Sequence, residues 1–472
     1  MKKYLTFSLF LSITTLIYSQ PQKLIVKADN GPTEFRYWAS DGKQLPFYDL
    51  SPTITLNQGE VKTIHLSSDA ILYKIVSERK VLTIYATANC TDTVYLHRDS
   101  LFFGGDNKPY NLYLTEAEKA DKYCRDYSRS RNHPLSKVNS LAEFKAMVSS
   151  RKAEDYNLLK NKAVATGFIQ QQSLFADLRY KALFLKKMIS LYKSPDLTQE
   201  WIEEFKNTDF HFADETSRQS EWFREILEDY ACTKSFIIEK RNPTEVGDTI
   251  NTFLFNNYCN ILSGNNLEYA TACLLYNDIF QKEYSKDTPA LYSRFITLFP
   301  NSPYSEILAP EIEKIAALYN QNPENNKIHI INYDTEPESF ADMITPFAGK
   351  VIYIDIWATT CAPCLQALAE ADKAKQKISC SDDVIFLYLS VDRDRAHEKW
   401  EKIINHYNLE GYHYRVNEHT AQIIYTTFGD SRGVLSIPRY VIVDKNGKIA
   451  FTNAAPLADT PKVTEQLKTL LK

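Results

Sequence analysis

The sequence lacks the features that mark several classes of protein. Eight of its 472 residues are cysteine, which is too few for the dense disulfide framework of a small secreted scaffold. The formal net charge is only −4, so no basic surface for nucleic acid or anionic lipid is indicated. No apolar run reaches the roughly 20 residues of a membrane-spanning helix. No glycine-rich phosphate loop precedes a nucleotide-binding pattern, and we therefore predict no cofactor.

The first residues, in contrast, have the pattern of a secretory signal peptide. Two lysines precede an apolar run that ends at Tyr18, and the small residue Ser19 stands just before Gln20. This pattern predicts a signal peptide over residues 1–19, cleaved near Ser19. No cysteine stands there to accept a lipid anchor. The expected location is therefore the periplasm of a Gram-negative cell, without a stable membrane anchor.

In the rest of the chain, the pattern of apolar and polar residues changes from one segment to the next. Residues 20–114 alternate apolar and polar positions in short runs such as KLIVKA and VLTIYATA, which predicts a small antiparallel β-domain. Residues 115–319 place apolar residues three and four apart, as in SLAEFKAMVSS, which predicts an all-helical domain. The polar stretch NQNPENNK, residues 320–327, predicts a linker. No fixed repeat is evident in the helical segment.

Residues 328–472 alternate strands with helices. The strand VIYIDIWA is almost continuously apolar and is followed by the helical stretch CLQALAEADKAKQKI, and Ser339 has the position of a helix cap before FADMI. Apolar strands that alternate with helices are typical of a central sheet covered on both faces. We therefore predict an α/β domain at the C-terminus.

Two cysteines lie where the first buried strand passes into a helix. Cys361 and Cys364 are separated by Ala362 and Pro363. Free N–H groups at a helix N-terminus stabilise a thiolate and can lower a cysteine pKa from about 8.5 into the ~3.5–7.5 range. Cys361 is then the nucleophile, and Cys364, one turn further on, can resolve the mixed disulfide that Cys361 forms. Pro363 fits the first turn, where its missing N–H is not needed.

The segment around these cysteines resembles a known family. DIWATTCAPC is similar to the thioredoxin active-site stretch, and SFADMITPFAGKVIYIDIWAT before it and GVLSIPRYVIVDKNGKI after it resemble periplasmic thioredoxin-like reductases of the TlpA and ResA kind. The earlier part resembles, more loosely, the long N-terminal extensions of exported Bacteroidetes members. The resemblance implies a thioredoxin-like fold, with Cys361 attacking, Cys364 resolving, Asp355 as a buried carboxylate that handles protons, and Pro438 in cis.

Two further residues are assigned to the substrate-binding group beside Pro438. A cis bond at Pro438 would leave the backbone of Ile437 free to pair with a bound substrate strand. Trp357 is predicted mainly to pack under the site.

The sequence departs from the family pattern at three positions near the cysteines. Thr360 stands where the family usually has a tryptophan of the docking surface, and Ala367 and Ala369 replace a glutamate and a proline. The missing glutamate leaves Asp355 as the expected proton acceptor.

These observations predict an exported thiol–disulfide oxidoreductase that reduces protein disulfides. The expected partners are protein thiols and disulfides and a membrane-bound dithiol electron donor; no nucleic acid is expected. Two alternatives stay open: a binding or assembly protein that uses this domain for docking, and a disulfide oxidase or isomerase. A zinc site would need two more ligands, and Cys380, His397, His406 and His413 form no second closely spaced pair, so no metal is predicted.

Overall fold

The computed structural model describes the chain in segments: residues 23–28, 32–66, 72–77, 80–87, 90–96, 101–130, 132–160, 164–243, 246, 249–320, 325–333, 335–378, 383–392, 396–430 and 433–471. The predicted signal peptide, Cys380 and residues 321–324 of the predicted linker lie outside these segments. The chain groups into two compact units, one of residues 1–241 with 261–269 and the other of 242–260 with 270–472.

The first unit begins with two four-stranded sheets. Their strands are β1 Lys23–Ala28, β2 Thr33–Ala39, β3 Ile54–Leu56, β4 Val61–His65, β5 Leu72–Ser77, β6 Lys80–Tyr85, β7 Thr91–Leu96 and β8 Leu101–Gly105. The strand orders are β4-β1-β7-β8 and β3-β2-β5-β6. Alternate residues of both sheets, among them Val26, Phe35, Ile75 and Val94, share one apolar core. The predicted antiparallel β-domain is confirmed, with one parallel pair between β1 and β7.

Helices follow the sheets, as the period of the sequence predicts. They are α1 Lys108–Arg129, α2 Leu141–Lys160, α3 Thr166–Ser190, α4 Gln199–Asn207, α5 Glu221–Cys232, α6 Ile250–Ile261, α7 Gly264–Phe280, α8 Thr288–Leu298 and α9 Ser305–Asn320. A π-helical turn, Thr233–Ile238, continues α5. In the first unit the helices pack around large side chains such as Phe144, Trp201 and Trp222.

The second unit contains a six-stranded sheet with helices on both faces. Its elements are β9 Ile328–Ile330, α10 Phe340–Ile344, β10 Val351–Trp357, α11 Ala362–Lys377, β11 Val384–Ser390, α12 His397–His406, β12 Gly411–Arg415, α13 Glu418–Phe428, β13 Arg439–Val443, β14 Ile449–Phe451 and α14 Thr460–Leu470. The strand order is β14-β13-β10-β11-β12-β9. Strands β10, β11, β12 and β9 are parallel, and β13 and β14 are antiparallel.

The central strand β10 is buried at all seven positions, as its apolar sequence predicts. Its residues alternate between two cores: Tyr353 and Trp357 pack with α11, α12 and α14, whereas Ile354 packs with α10 and α13. The hydroxyl of Ser339 caps α10 by accepting the N–H of Asp342 at 3.2 Å, as predicted.

Helix α9 belongs with this sheet in the compact unit. Leu318 of α9 lies in the same core as Trp400 and Ile403 of α12. The predicted domain boundaries at 319 and 328 stay a prediction. The two compact units divide the chain at other positions and group the last helices of the middle segment with the C-terminal sheet. No helix among the described residues is long and apolar enough to cross a membrane.

Candidate active site

The turn from β10 into α11 carries both cysteines. Cys361 is the N-cap of α11, with extended backbone angles, and Pro363 lies in the first turn of the helix. The N–H of Cys361 donates to the carbonyl of Ala358 at 3.0 Å, which closes a tight turn. The strand-to-helix junction that the sequence predicts for this pair is therefore confirmed.

The two cysteines form a disulfide, with their Cα atoms 5.2 Å apart. The backbone N–H of Cys364 also donates to the sulfur of Cys361 at 3.2 Å. Cys361 is half-buried, whereas Cys364 is 1% exposed. One sulfur is thus accessible and supported by a helix N–H, and the other lies beneath it in the core.

Asp355 lies in the middle of β10 and is 3% exposed. By strand alternation its side chain is on the same face as Tyr353 and Trp357, the face that packs on Cys364. Its Oδ1 has no hydrogen-bond partner among the described residues. Burial raises the pKa of Asp355 to about 7, because the charged form loses its hydration. This carboxyl can therefore gain or lose a proton near neutral pH.

Pro438 stands at the start of β13, and its bond to Ile437 is cis, as the resemblance implies. Arg439 pairs with Ile356 of β10, so Pro438 and Ile437 lie next to the end of the strand that leads to Cys361. Ile437 is partly buried against the cores on both faces of the sheet.

Trp357 requires a correction to its place in the substrate-binding group. Its side chain is fully buried, at 0% exposure, in the same core as Cys364 and Trp400. It offers no surface to a substrate, which fits the packing role predicted for it. Thr360, in contrast, is exposed next to Cys361.

The structure adds a buried polar group that the sequence analysis missed. Asp392, 7% exposed, accepts the backbone N–H of Thr359 at 2.8 Å and the hydroxyls of Thr359 and Ser390 at 2.8 and 2.7 Å. A signal was present in the sequence, because Asp392 follows a buried parallel strand next to β10, and the carboxyl ends of parallel strands meet at one edge of a sheet.

Among the described residues, no cysteine other than Cys361 and Cys364 forms a disulfide. Cys90, Cys124, Cys232 and Cys259 are free thiols in the first unit or in α6. Within the described segments, no group of three or more histidine, cysteine, aspartate or glutamate side chains is arranged to hold a metal ion.

Comparison with known proteins identifies a family for the C-terminal part of the chain. A family model described as thioredoxin-like matches residues 349–449. No curated protein matches the chain.

Several solved structures are similar to the same part. The solution structure of a thiol-disulfide oxidoreductase from Bacteroides vulgatus is 31% identical, covers 27% of this chain and 78% of that chain, and has a TM-score of 0.23. A crystal structure of a thiol-disulfide oxidoreductase from the same organism is 25% identical, with 27% and 82% covered and a TM-score of 0.21. A thiol:disulfide interchange protein from Chlorobium tepidum TLS is 17% identical, with 27% and 85% covered and a TM-score of 0.23.

The family match agrees with the six-stranded sheet, the cysteine pair at the end of β10 and the cis proline at the start of β13. The predicted fold class is confirmed. Through residues 349–449 this chain belongs to the thioredoxin-like family, and it is an oxidoreductase of the thiol–disulfide type.

Proposed function

We propose that the chain is an exported reductase of protein disulfides that works in the periplasm through Cys361 and Cys364. One observation carries this proposal: the half-buried sulfur of Cys361 accepts the N–H of Cys364, while the Cys364 side chain is buried beneath it. This asymmetry separates an attacking thiol from a resolving thiol. The signal-peptide pattern supports export, and the resemblance of the sequence to reductases of the TlpA and ResA kind supports the reducing direction.

In the first step, the thiolate of Cys361 attacks one sulfur of a client disulfide. The client S–S bond breaks, a new bond joins the Cys361 sulfur to the client, and the released client thiolate takes a proton from water. The helix N-terminus favours the thiolate before attack, because its N–H groups carry partial positive charge. An extended client segment would pair with the backbone of Ile437 beside the cis Pro438.

In the second step, the thiol of Cys364 gives up its proton and attacks the Cys361 sulfur. We assign the acceptor role to Asp355, whose pKa of about 7 suits proton exchange at neutral pH. The mixed disulfide breaks, the departing client thiolate takes a proton from water, and the client leaves with both of its thiols reduced. The protein holds the Cys361–Cys364 disulfide, so two electrons have passed to the client.

Return to the dithiol form requires an external reductant. A dithiol electron donor, which we assign to the membrane, attacks the Cys361–Cys364 disulfide by the same exchange chemistry and leaves oxidised.

Trapping of mixed disulfides tests this function. The Cys364→Ser variant, expressed with its leader in a Gram-negative host, should accumulate protein adducts through Cys361 that dithiothreitol releases. Cys361→Ser and the double serine variant are matched controls and should accumulate none. Equal amounts of adduct in Cys364→Ser and Cys361→Ser would contradict the assigned roles.

Export is tested on the same material. The protein recovered from the periplasmic fraction should begin near Gln20 when its N-terminus is sequenced. A chain that stays in the cytoplasm with its first 19 residues intact would contradict the proposed location.

A further inference from the structure

The turn that carries Cys361 is hydrogen-bonded to a buried carboxylate that follows the neighbouring strand β11. Thr359 is 0% exposed, and its N–H donates to both oxygens of Asp392, at 3.0 and 2.8 Å. The Thr359 hydroxyl donates to Asp392 Oδ1 at 2.8 Å. Three hydrogen-bond contacts therefore join one buried residue of the turn to one carboxylate.

Asp392 is itself fixed by Ser390, the last residue of β11. The Ser390 hydroxyl donates to Asp392 Oδ2 at 2.7 Å and accepts the N–H of Asp392 at 3.2 Å. Ser390 is the register partner of Trp357, and the N–H of Val391 donates to the Trp357 carbonyl at 2.9 Å. The carboxylate is thus hydrogen-bonded to the end of β11, next to the end of its partner strand β10.

A buried carboxylate is costly unless hydrogen bonds or opposite charge compensate it. A lysine supplies charge: Lys399 of α12 has a side chain only 14% exposed and lies 3.5 Å from Glu283. The carboxylates of Glu283, Asp278 and Asp392 all attract this ammonium, while burial lowers its pKa. The buried carboxylate of Asp392 is therefore compensated by hydrogen bonds and by a nearby positive charge. Part of its hydrogen bonding goes to Thr359, in the turn before Cys361.

We propose that Asp392 is a positioning residue, which through Thr359 holds residues 358–361 so that the Cys361 sulfur faces the N–H of Cys364. This inference rests on the proposed function, because it concerns the reactivity of the attacking thiol. Thr359 is two residues before Cys361, and the intervening Thr360 is exposed. The Asp392 bonds therefore fix the same turn that the N–H of Cys361 closes on the carbonyl of Ala358. A turn released from Asp392 would lose the alignment of sulfur and N–H that stabilises the thiolate.

Two variants separate positioning from simple charge effects. Thr359→Val keeps the Asp392 charge and removes the hydroxyl bond, whereas Asp392→Asn removes the charge and one acceptor. Thr359→Ser keeps the hydroxyl and should behave as the wild type. Asp444→Asn is the matched control, because Asp444 also accepts two backbone N–H groups, from Asn446 and Lys448, in the β13–β14 turn.

The measurement is the rate of Cys361 alkylation by iodoacetamide against pH, on the reduced full chain, with thermal melting recorded in parallel. Positioning predicts that Thr359→Val and Asp392→Asn both move the pH midpoint upward. A midpoint higher by one pH unit slows alkylation by about tenfold at pH values well below the wild-type midpoint, where the thiolate fraction falls by that factor. Asp444→Asn should change melting without moving the midpoint.

The proposal is overturned by an unchanged midpoint in both variants, whatever happens to melting. A downward shift in Asp392→Asn with no change in Thr359→Val also overturns it, since that pattern reports charge repulsion alone. A wild-type protein whose Cys361–Cys364 pair shows no reversible redox transition would instead contradict the proposed function, so the two failures are distinguishable.

Discussion

The backbone N–H of Cys364 points at the sulfur of Cys361, 3.2 Å away. This contact links the resolving residue to the attacking one before any chemistry occurs. It arises because Cys361 is the N-cap of α11, where the N–H groups of the first turn have no carbonyl partner within the helix. The same placement buries the Cys364 side chain and leaves Cys361 half-buried.

The first prediction concerns the order in which the reduced thiols react. Brief alkylation at pH 7 should label Cys361 at least about tenfold faster than Cys364, because the first is accessible and stabilised as a thiolate and the second is buried. Mass spectrometry of peptides from a time course measures both rates. Faster labelling of Cys364 would contradict the assignment of the attacking thiol.

The second prediction concerns the pH dependence of stability through Asp355. Its pKa is raised from 3.8 to about 7 in the folded protein. Between these values the unfolded chain has lost the proton and the folded protein keeps it, so the free energy of unfolding should fall as pH rises from about 4 to 7 and level off above that. The full effect is about 4 kcal/mol, at 1.36 kcal/mol for each pH unit.

Asp355→Asn removes this ionisation and supplies the comparison. Denaturant unfolding of the oxidised protein at pH 4 and pH 8 should show a smaller decline for the variant than for the wild type, so that the variant is the more stable of the two at pH 8. Parallel curves for the two proteins would show that Asp355 ionises as freely as an exposed carboxyl.

The third prediction concerns the end of β8. Gly105 has a φ of +110°, and a Cβ there would lie 2.3 Å from the carbonyl oxygen of Thr91. Gly105→Ala should therefore destabilise the first unit by about 2–3 kcal/mol in denaturant unfolding. Gly104→Ala is the control, because its Cβ would meet no atom closer than 3.9 Å. Equal stability of the two variants would contradict this close approach.

The fourth prediction concerns a buried ion pair in the helices of the first unit. Arg179, with a side chain 5% exposed, lies 2.6 Å from Asp121 and 2.8 Å from Asp155. Arg179→Met should lower the free energy of unfolding by about 3–5 kcal/mol, because two carboxylates lose their compensating charge. Lys122→Met, at an exposed pair with Asp126, should cost under about 1 kcal/mol. Urea unfolding measures both variants. A similar decrease in the free energy of unfolding in the two would contradict the larger contribution assigned to the buried ion pair.

The parts of the fold that the sequence predicts are those with a strong local signal. The continuous apolar run of β10 and the cysteine spacing lie side by side in the chain, so their junction is readable without tertiary information. The cap at Ser339 is equally local. The cis bond at Pro438 follows from the family resemblance, since X–Pro sequence alone favours trans.

The parts of the fold that the sequence does not predict depend on contacts between residues that are distant in the chain. Strand β3 has only three residues, and the two glycines of β8 read as a turn until β7 pairs with them. Asp392 and Thr359 are 33 residues apart in the chain. Their contact exists because the parallel pairing of β10 and β11 brings the ends of both strands together, which no periodicity within either strand encodes.

The central claim is that Cys361 and Cys364 form a working redox couple with reducing character. The most direct test is a redox titration of the purified chain. Thiol alkylation follows the reduced fraction of the pair across a series of ratios of reduced to oxidised dithiothreitol, with the Cys361→Ser/Cys364→Ser double variant as control. We predict a reversible two-electron transition at about −270 mV, as in thioredoxin, that disappears in the double variant. A midpoint of about −120 mV would contradict the reducing direction. A transition that persists in the double variant would contradict the assignment of the redox couple to Cys361 and Cys364.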